Sequence, residues 1–91
     1  MAVARAHVIV TGYVQGVFFR HTTAQRARAR SLTGWVRNMP DGRVEAVLEG
    51  EESDVRDMVD WCRSGPPHAT VESVDVEWQP SLSDFSGFRI L

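Results

Sequence analysis

Near the midpoint of this 91-residue chain, Met39-Pro40-Asp41-Gly42 separates two short apolar runs, and that turn constrains the fold more than any other feature. Asp-Gly between strand-like segments is a strong hairpin signal, because glycine reaches the positive φ that a tight turn requires. It makes Trp35–Asn38 and Val44–Leu48 antiparallel neighbours. One helical segment flanks the hairpin on each side. Upstream, Arg20–Ser31 is rich in Ala and Arg and holds no Gly or Pro, which favours helix. Its apolar face is thin, made of Ala24, Ala27 and Leu32, and Gly34 ends it. Downstream, Glu51, Glu52, Ser53 and Asp54 suit a helix N-terminus through capping and the dipole. Val55, Met58, Val59 and Cys62 then follow at i, i+3, i+4, i+7, and Arg63 and Gly65 close the segment.

Extended segments complete both ends. Residues 3–11 read as a strand broken by Gly12. After the rigid Pro66-Pro67 connector, Val71, Val74 and Val76 lie in a segment running to Trp78. Pro80–Asp84 reads as a loop and Phe85–Leu91 as a closing strand. The order is β-α-β-β-α-β plus a short C-terminal strand. That predicts an α+β fold, the ferredoxin-like split βαβ sandwich, with an antiparallel sheet and two helices on one face. The length allows one modest core, so residues 1–91 are read as a single domain.

Composition narrows the chemistry. All ten basic residues are arginine, which removes lysine Schiff bases and the lysine of a nucleotide-binding P-loop. Cys62 is the only cysteine, so neither an internal disulfide nor a cysteine-rich zinc site can form. His7, His21 and His68 lack metal-ligand spacing, and neither a metal nor a cofactor is expected. The apolar runs are too short to span a membrane, and Arg5 and His7 interrupt the N-terminus where a signal peptide would be apolar. A cytoplasmic monomer is the expectation. Charge is lopsided: residues 1–40 carry six arginines and no acid, whereas residues 41–91 carry four arginines and twelve acids. Such asymmetry fits either an anionic ligand at a basic face or simple remixing of charge on folding.

Residues 12–20, Gly-Tyr-Val-Gln-Gly-Val-Phe-Phe-Arg, are the most informative stretch. They lead into a helix whose N-terminal N–H groups favour an anion, and Arg20 places a cation where an acid normally helps. Gly12 and Gly16 let the backbone approach a ligand closely. Loop amides and one guanidinium together suit phosphate or carboxylate; the competing reading makes Arg20 a surface residue lying over Phe18 or Phe19. Asn38, at a strand end, has an amide able to accept from a water and donate to a substrate, or else to bond the backbone of the neighbouring turn. Glu51, Glu52, Asp54, Asp57 and Asp60 read as a solvated helix face, Cys62 as a core thiol and His21 as first-turn surface. Trp35, Trp61 and Trp78 read as packing residues. RNA recognition of the kind seen on related topologies is not expected, because no basic-Gly-aromatic strand signature is present and the net charge is −2.

Two stretches carry a specific likeness. Val10-Thr11-Gly12-Tyr13-Val14-Gln15-Gly16-Val17-Phe18-Phe19-Arg20 resembles the first signature of the acylphosphatase family. Gly34-Trp35-Val36-Arg37-Asn38, with Gly42, Val44 and Gly50, resembles the second at its expected spacing. Gly65-Pro66-Pro67-His68-Ala69 with Val71 and Val74, and the closing Phe85–Ile90, are similar to bacterial members. The resemblance implies hydrolysis of acyl phosphates to a carboxylate and inorganic phosphate, without a metal or a covalent enzyme intermediate. It implies that Arg20 binds phosphate with the backbone of Gln15, Gly16, Val17, Phe18 and Phe19, and that Asn38 orients the attacking water. A binding module of the same fold, holding acyl or carbamoyl phosphate without turnover, is the alternative. Arg30 and Ser31 depart from the pattern, where relatives commonly have an apolar residue and a glycine. The packing of the first helix is expected to feel the change.

Overall fold

The computed structural model describes residues 2–91. The elements follow as β1 (Val3–Tyr13), α1 (Phe19–Ala29), β2 (Thr33–Asn38), β3 (Val44–Glu51), α2 (Glu52–Cys62), β4 (Thr70–Gln79) and β5 (Phe88–Ile90). The sheet order is β4-β1-β3-β2-β5. β1 is antiparallel to both β3 and β4, and β2 is antiparallel to β3. Each helix therefore joins two parallel strands with a third inserted between them, which is the split βαβ plan read from the sequence.

β5 corrects one detail of that reading. It runs parallel to β2, in register from Gly34↔Phe88 to Val36↔Ile90, so the sheet is mixed rather than purely antiparallel. The parallel pairing requires residues 80–87 to cross from one sheet edge to the other, and this crossing shortens the expected Phe85–Leu91 strand. Two side chains of the helix-free face hold it down. The Arg5 guanidinium bonds Asp84 at 2.9 Å and lies 4.6 Å from the Phe85 ring centroid. Glu49, only 3% exposed, accepts through Oε2 from the Ser81 hydroxyl and the Leu82 amide, both at 2.8 Å. Its Oε1 has no hydrogen-bond partner among the described residues. Beside them on the same face, Glu45 accepts from Arg37 and lies 2.6 Å from His7 Nε2. Burial raises the Glu45 carboxyl, but the His7 and Arg37 contacts outweigh it and hold the pKa below the ordinary carboxylate value.

The core lies between the other sheet face and the helices. β1 contributes Ala6, Val8 and Val10, β2 Val36, and β3 Val44, Ala46 and Leu48, the period-2 set of each strand. Against them α2 buries Val55, Met58, Val59 and Cys62, the stripe legible in the sequence. Burial among these apolar groups pushes the Cys62 thiol up to about 12. α1 buries Phe19, Thr23, Ala24 and Ala27, small residues apart from the first. Phe19 meets Trp61 at 5.4 Å in a tilted pair, and Trp78 is 44% exposed, with Arg56 over its ring.

The two departures around the end of α1 have separate physical outcomes. Arg30 bonds Asp54 and Asp57 of α2, at 2.8 and 3.1 Å, so it links the helices instead of disturbing them. Ser31 adopts φ 58, and α1 stops at Ala29, two residues earlier than its composition suggests. The Leu32 amide returns to the Ala27 carbonyl at 2.9 Å and the Ser31 amide to Arg28 at 3.1 Å. This is a Schellman ending with serine in the left-handed position that normally favours glycine.

Candidate active site

The segment joining β1 to α1 is shaped by alternation. Val14 and Val17 point into the core, 1% and 5% exposed, while Gly16 and Phe18 face outward. A shift in the β1–β4 register at Thr11/Gly12 starts the segment, and a Cβ on Gly12 would stand 2.1 Å from the Thr70 carbonyl oxygen, which makes glycine obligatory there. Gly16 has open space around it but φ +75, so its requirement is conformational. Phe18, a non-glycine residue, also sits in the left-handed region, at φ 64 and ψ 24, immediately before α1. The helix has no side-chain cap and no acid in its first turn. Among the described residues, no turn or cap hydrogen bond uses the amides of Gln15, Gly16, Val17, Phe18 or Phe19. The result is a run of loop N–H groups without hydrogen-bond partners among the described residues, next to a helix N-terminus, which suits an oxyanion.

Two side chains complete it. Arg20, in the first turn of α1, donates from Nη1 to the Leu91 backbone oxygen at 3.2 Å and forms no ion pair among the described residues. Asn38 ends β2 opposite Val44, on the helix side of the sheet, and forms no side-chain hydrogen bond among the described residues. The turn carbonyls that it was positioned to serve are taken by another residue. Gln15 Nε2 donates to Met39 O at 2.8 Å and to Arg43 O at 3.0 Å, which ties the loop to the β2–β3 hairpin. Asp41 fixes the same hairpin, accepting from the Arg43 amide at 3.1 Å and from its guanidinium at 2.8 Å. The Arg43 amide, more than the burial that opposes it, holds the Asp41 carboxyl below its ordinary value.

An open cleft of about 310 Å³ brings together Gly16, Phe18, Phe19, Arg20 and Asn38 from the sequence-derived set. Gln15 and Val17 are not lining side chains: the first is spent on the hairpin and the second is in the core. Val14, His21 and Ile90 also border the cleft. His21 stands exposed on the first turn of α1, as its sequence position suggests, yet at the rim of the site. Ile90 arrives only through the parallel β5 pairing, and Arg28 secures that strand by donating to Phe88 O at 2.8 and 3.1 Å. No local pattern announces such a long-range partner. Chemically, the cleft offers a guanidinium and a carboxamide beside the loop amides, which suits a tetrahedral oxyanion with a water beside it.

Comparison with known proteins matches this geometry to one family. The family model described as Acylphosphatase matches residues 6–90. An acylphosphatase of Roseiflexus sp. is 55% identical over 91 residues, covering 100% of this chain and 98% of that protein. The structure of an acylphosphatase from Coxiella burnetii superposes with a TM-score of 0.91 at 40% identity, covering 98% of this chain and 93% of that one. The acylphosphatase from Bacillus subtilis gives 0.92 at 38% identity, with 97% and 98% covered. With the signature loop, the free amides, Arg20 and Asn38 in one cleft, the chain belongs to the acylphosphatase family.

Proposed function

We propose that this cleft hydrolyses acyl phosphates to a carboxylate and inorganic phosphate, with the phosphoryl group in the cradle of loop amides and Arg20. Asn38 holds the attacking water. The observation that carries the reading is the convergence of Arg20, Asn38 and the loop from Gly16 to Phe19 on one cleft, with no acidic side chain among its described lining residues. Water attacks phosphorus, the bond from phosphorus to the acyl oxygen breaks, and the carboxylate departs with that electron pair. A carboxylate has a conjugate-acid pKa of about 4, so it leaves without a general acid. The residual demand is charge stabilisation on the phosphoryl oxygens and alignment of the water. Arg20 and the amides meet the first, and the Asn38 carboxamide oxygen, without a partner among the described residues, meets the second.

Gln15 enters as a positioning residue. By bonding both sides of the hairpin turn, it fixes the distance between the phosphate cradle and Asn38. The test is turnover of benzoyl phosphate with EDTA present. Chelator-resistant hydrolysis that falls by about 10³ or more in Arg20→Ala is expected, since removing one oxyanion donor alone costs about 10²–10³. Phosphate binding without turnover would identify a binding module instead.

A further inference from the structure

The cleft is larger and more apolar than a phosphate requires. Beside Arg20 and Asn38, it is lined by the apolar side chains of Phe18 and Ile90. A volume of about 310 Å³ falls at the lower end of the range for small-molecule pockets, which leaves space beyond a single phosphoryl group. Phe18 is 74% exposed and Ile90 41% exposed, so neither contributes its full apolar surface to the core. Phe18 is also held at φ 64, where an L-residue is strained, and this conformation points its ring outward beside the cradle. An exposed aromatic in a strained conformation at a pocket rim has the character of a ligand contact. No Asp or Glu side chain lines the cleft among the described residues, and the Leu91 main-chain oxygen beyond Ile90 accepts from Arg20 Nη1 at 3.2 Å.

We infer that Phe18 and Ile90 form the acyl-binding mouth of the site and select uncharged apolar acyl groups, aromatic or branched, over small or carboxylated ones. This rests on the phosphate-cradle reading above. The acyl chain of a bound acyl phosphate leaves the phosphorus through one oxygen, so it emerges at the opening. There the Phe18 ring and the Ile90 side chain can remove it from water. Burial of this kind discriminates in proportion to the apolar area covered, whereas the cradle treats all phosphoryl groups alike.

Binding of stable phosphonates separates the inference from catalysis, and titration calorimetry reads it. Benzylphosphonate is expected to bind the unmodified protein about tenfold more tightly than methylphosphonate. Phe18→Asn keeps a residue that tolerates the left-handed region, and Ile90→Ser changes the other wall. Each is expected to reduce the benzyl-to-methyl ratio about threefold to fivefold, and Ile90→Ser, which lies outside the phosphate cradle, to keep inorganic phosphate affinity within about twofold of the starting value. Parallel kcat/KM values for benzoyl and acetyl phosphate should change in the same ratio. A ratio near one in the unmodified protein, or one unchanged in both variants, overturns the inference even if turnover is normal. Tighter binding of 3-phosphonopropionate than of benzylphosphonate overturns it in favour of a carboxylated acyl group. A ratio that behaves as expected in a protein without turnover supports the mouth and refutes the catalytic reading alone.

Discussion

Replacing Ser31 with glycine should stabilise the protein, and the size of the effect follows from the backbone. Ser31 occupies the left-handed position of the Schellman ending of α1, at φ 58, with the Leu32 and Ser31 amides bonded back to Ala27 and Arg28. An L-residue in that region costs about 1–2 kcal/mol from the clash between its Cβ and backbone oxygen. Glycine removes the clash but gives back roughly 0.5–1 kcal/mol through the greater freedom of the unfolded chain. The net gain is about 1 kcal/mol, which for a domain of this length raises Tm by roughly 4–8 °C. The serine hydroxyl donates to nothing among the described residues, so Ser31→Ala keeps the clash and loses no bond. Its stability should stay within about 0.5 kcal/mol of the starting protein. Urea titration and thermal unfolding of both variants give the comparison. Ser31 lies at the far end of α1 from Arg20, about 16 Å along the axis, so kcat/KM should be unchanged. Equal stability of the glycine and alanine variants would refute the reasoning, because the conformational term would then be absent.

Three other perturbations address separate links. Gln15→Ala removes both bonds to the β2–β3 turn, and about 1 kcal/mol of stability is expected to go with each. Because the turn carries the end of β2, kcat should fall further than the affinity for inorganic phosphate, a split that simple loss of stability would not produce. Glu45 has a folded-state pKa below its ordinary 4.5, so its pairing with His7 and Arg37 contributes stability above that value and loses it as the pH falls through the lower folded pKa. Acid titration of Glu45→Gln, followed by fluorescence, should therefore give a shallower loss of stability below that range; identical profiles would exclude the linkage. Cys62, 1% exposed and with its thiol pushed up to about 12, should resist disulfide reagents at neutral pH in the native protein. Its labelling rate should follow global unfolding in denaturant, and rapid labelling of the native protein would contradict the packing of α2.

The parts of this protein governed by local chemistry were legible before any coordinate. The Val55, Met58, Val59, Cys62 stripe, the Asp41-Gly42 turn and the helix without Gly or Pro gave the element order because each depends on neighbours within a few residues. The candidate anion site could be proposed for the same reason, since its loop, helix terminus and Arg20 are contiguous. Features that depend on distant pairing were not. The parallel placement of β5, which brings Ile90 to the cleft, follows from the crossing of residues 80–87 held by Arg5 and Glu49, and those partners lie far away in sequence. Glu49 looked like one acid among twelve, and only its position under the crossing segment makes it a buried acceptor. Gln15 was expected to bind substrate, but its side chain bonds the hairpin turn and does not line the cleft. Arg30 shows the opposite error: a charged residue in an apolar place finds two carboxylates on the adjacent helix.

The division of labour between Arg20 and Asn38 is the central claim, and paired measurement of kcat and of inhibition by inorganic phosphate tests it most directly. The unmodified protein, Arg20→Ala and Asn38→Ala should be compared on benzoyl phosphate. Arg20→Ala is expected to lose both turnover and phosphate inhibition. Asn38→Ala should keep phosphate inhibition within about twofold while kcat falls by about 10²–10³. Full turnover in Asn38→Ala, or undiminished phosphate inhibition in Arg20→Ala, would contradict the account.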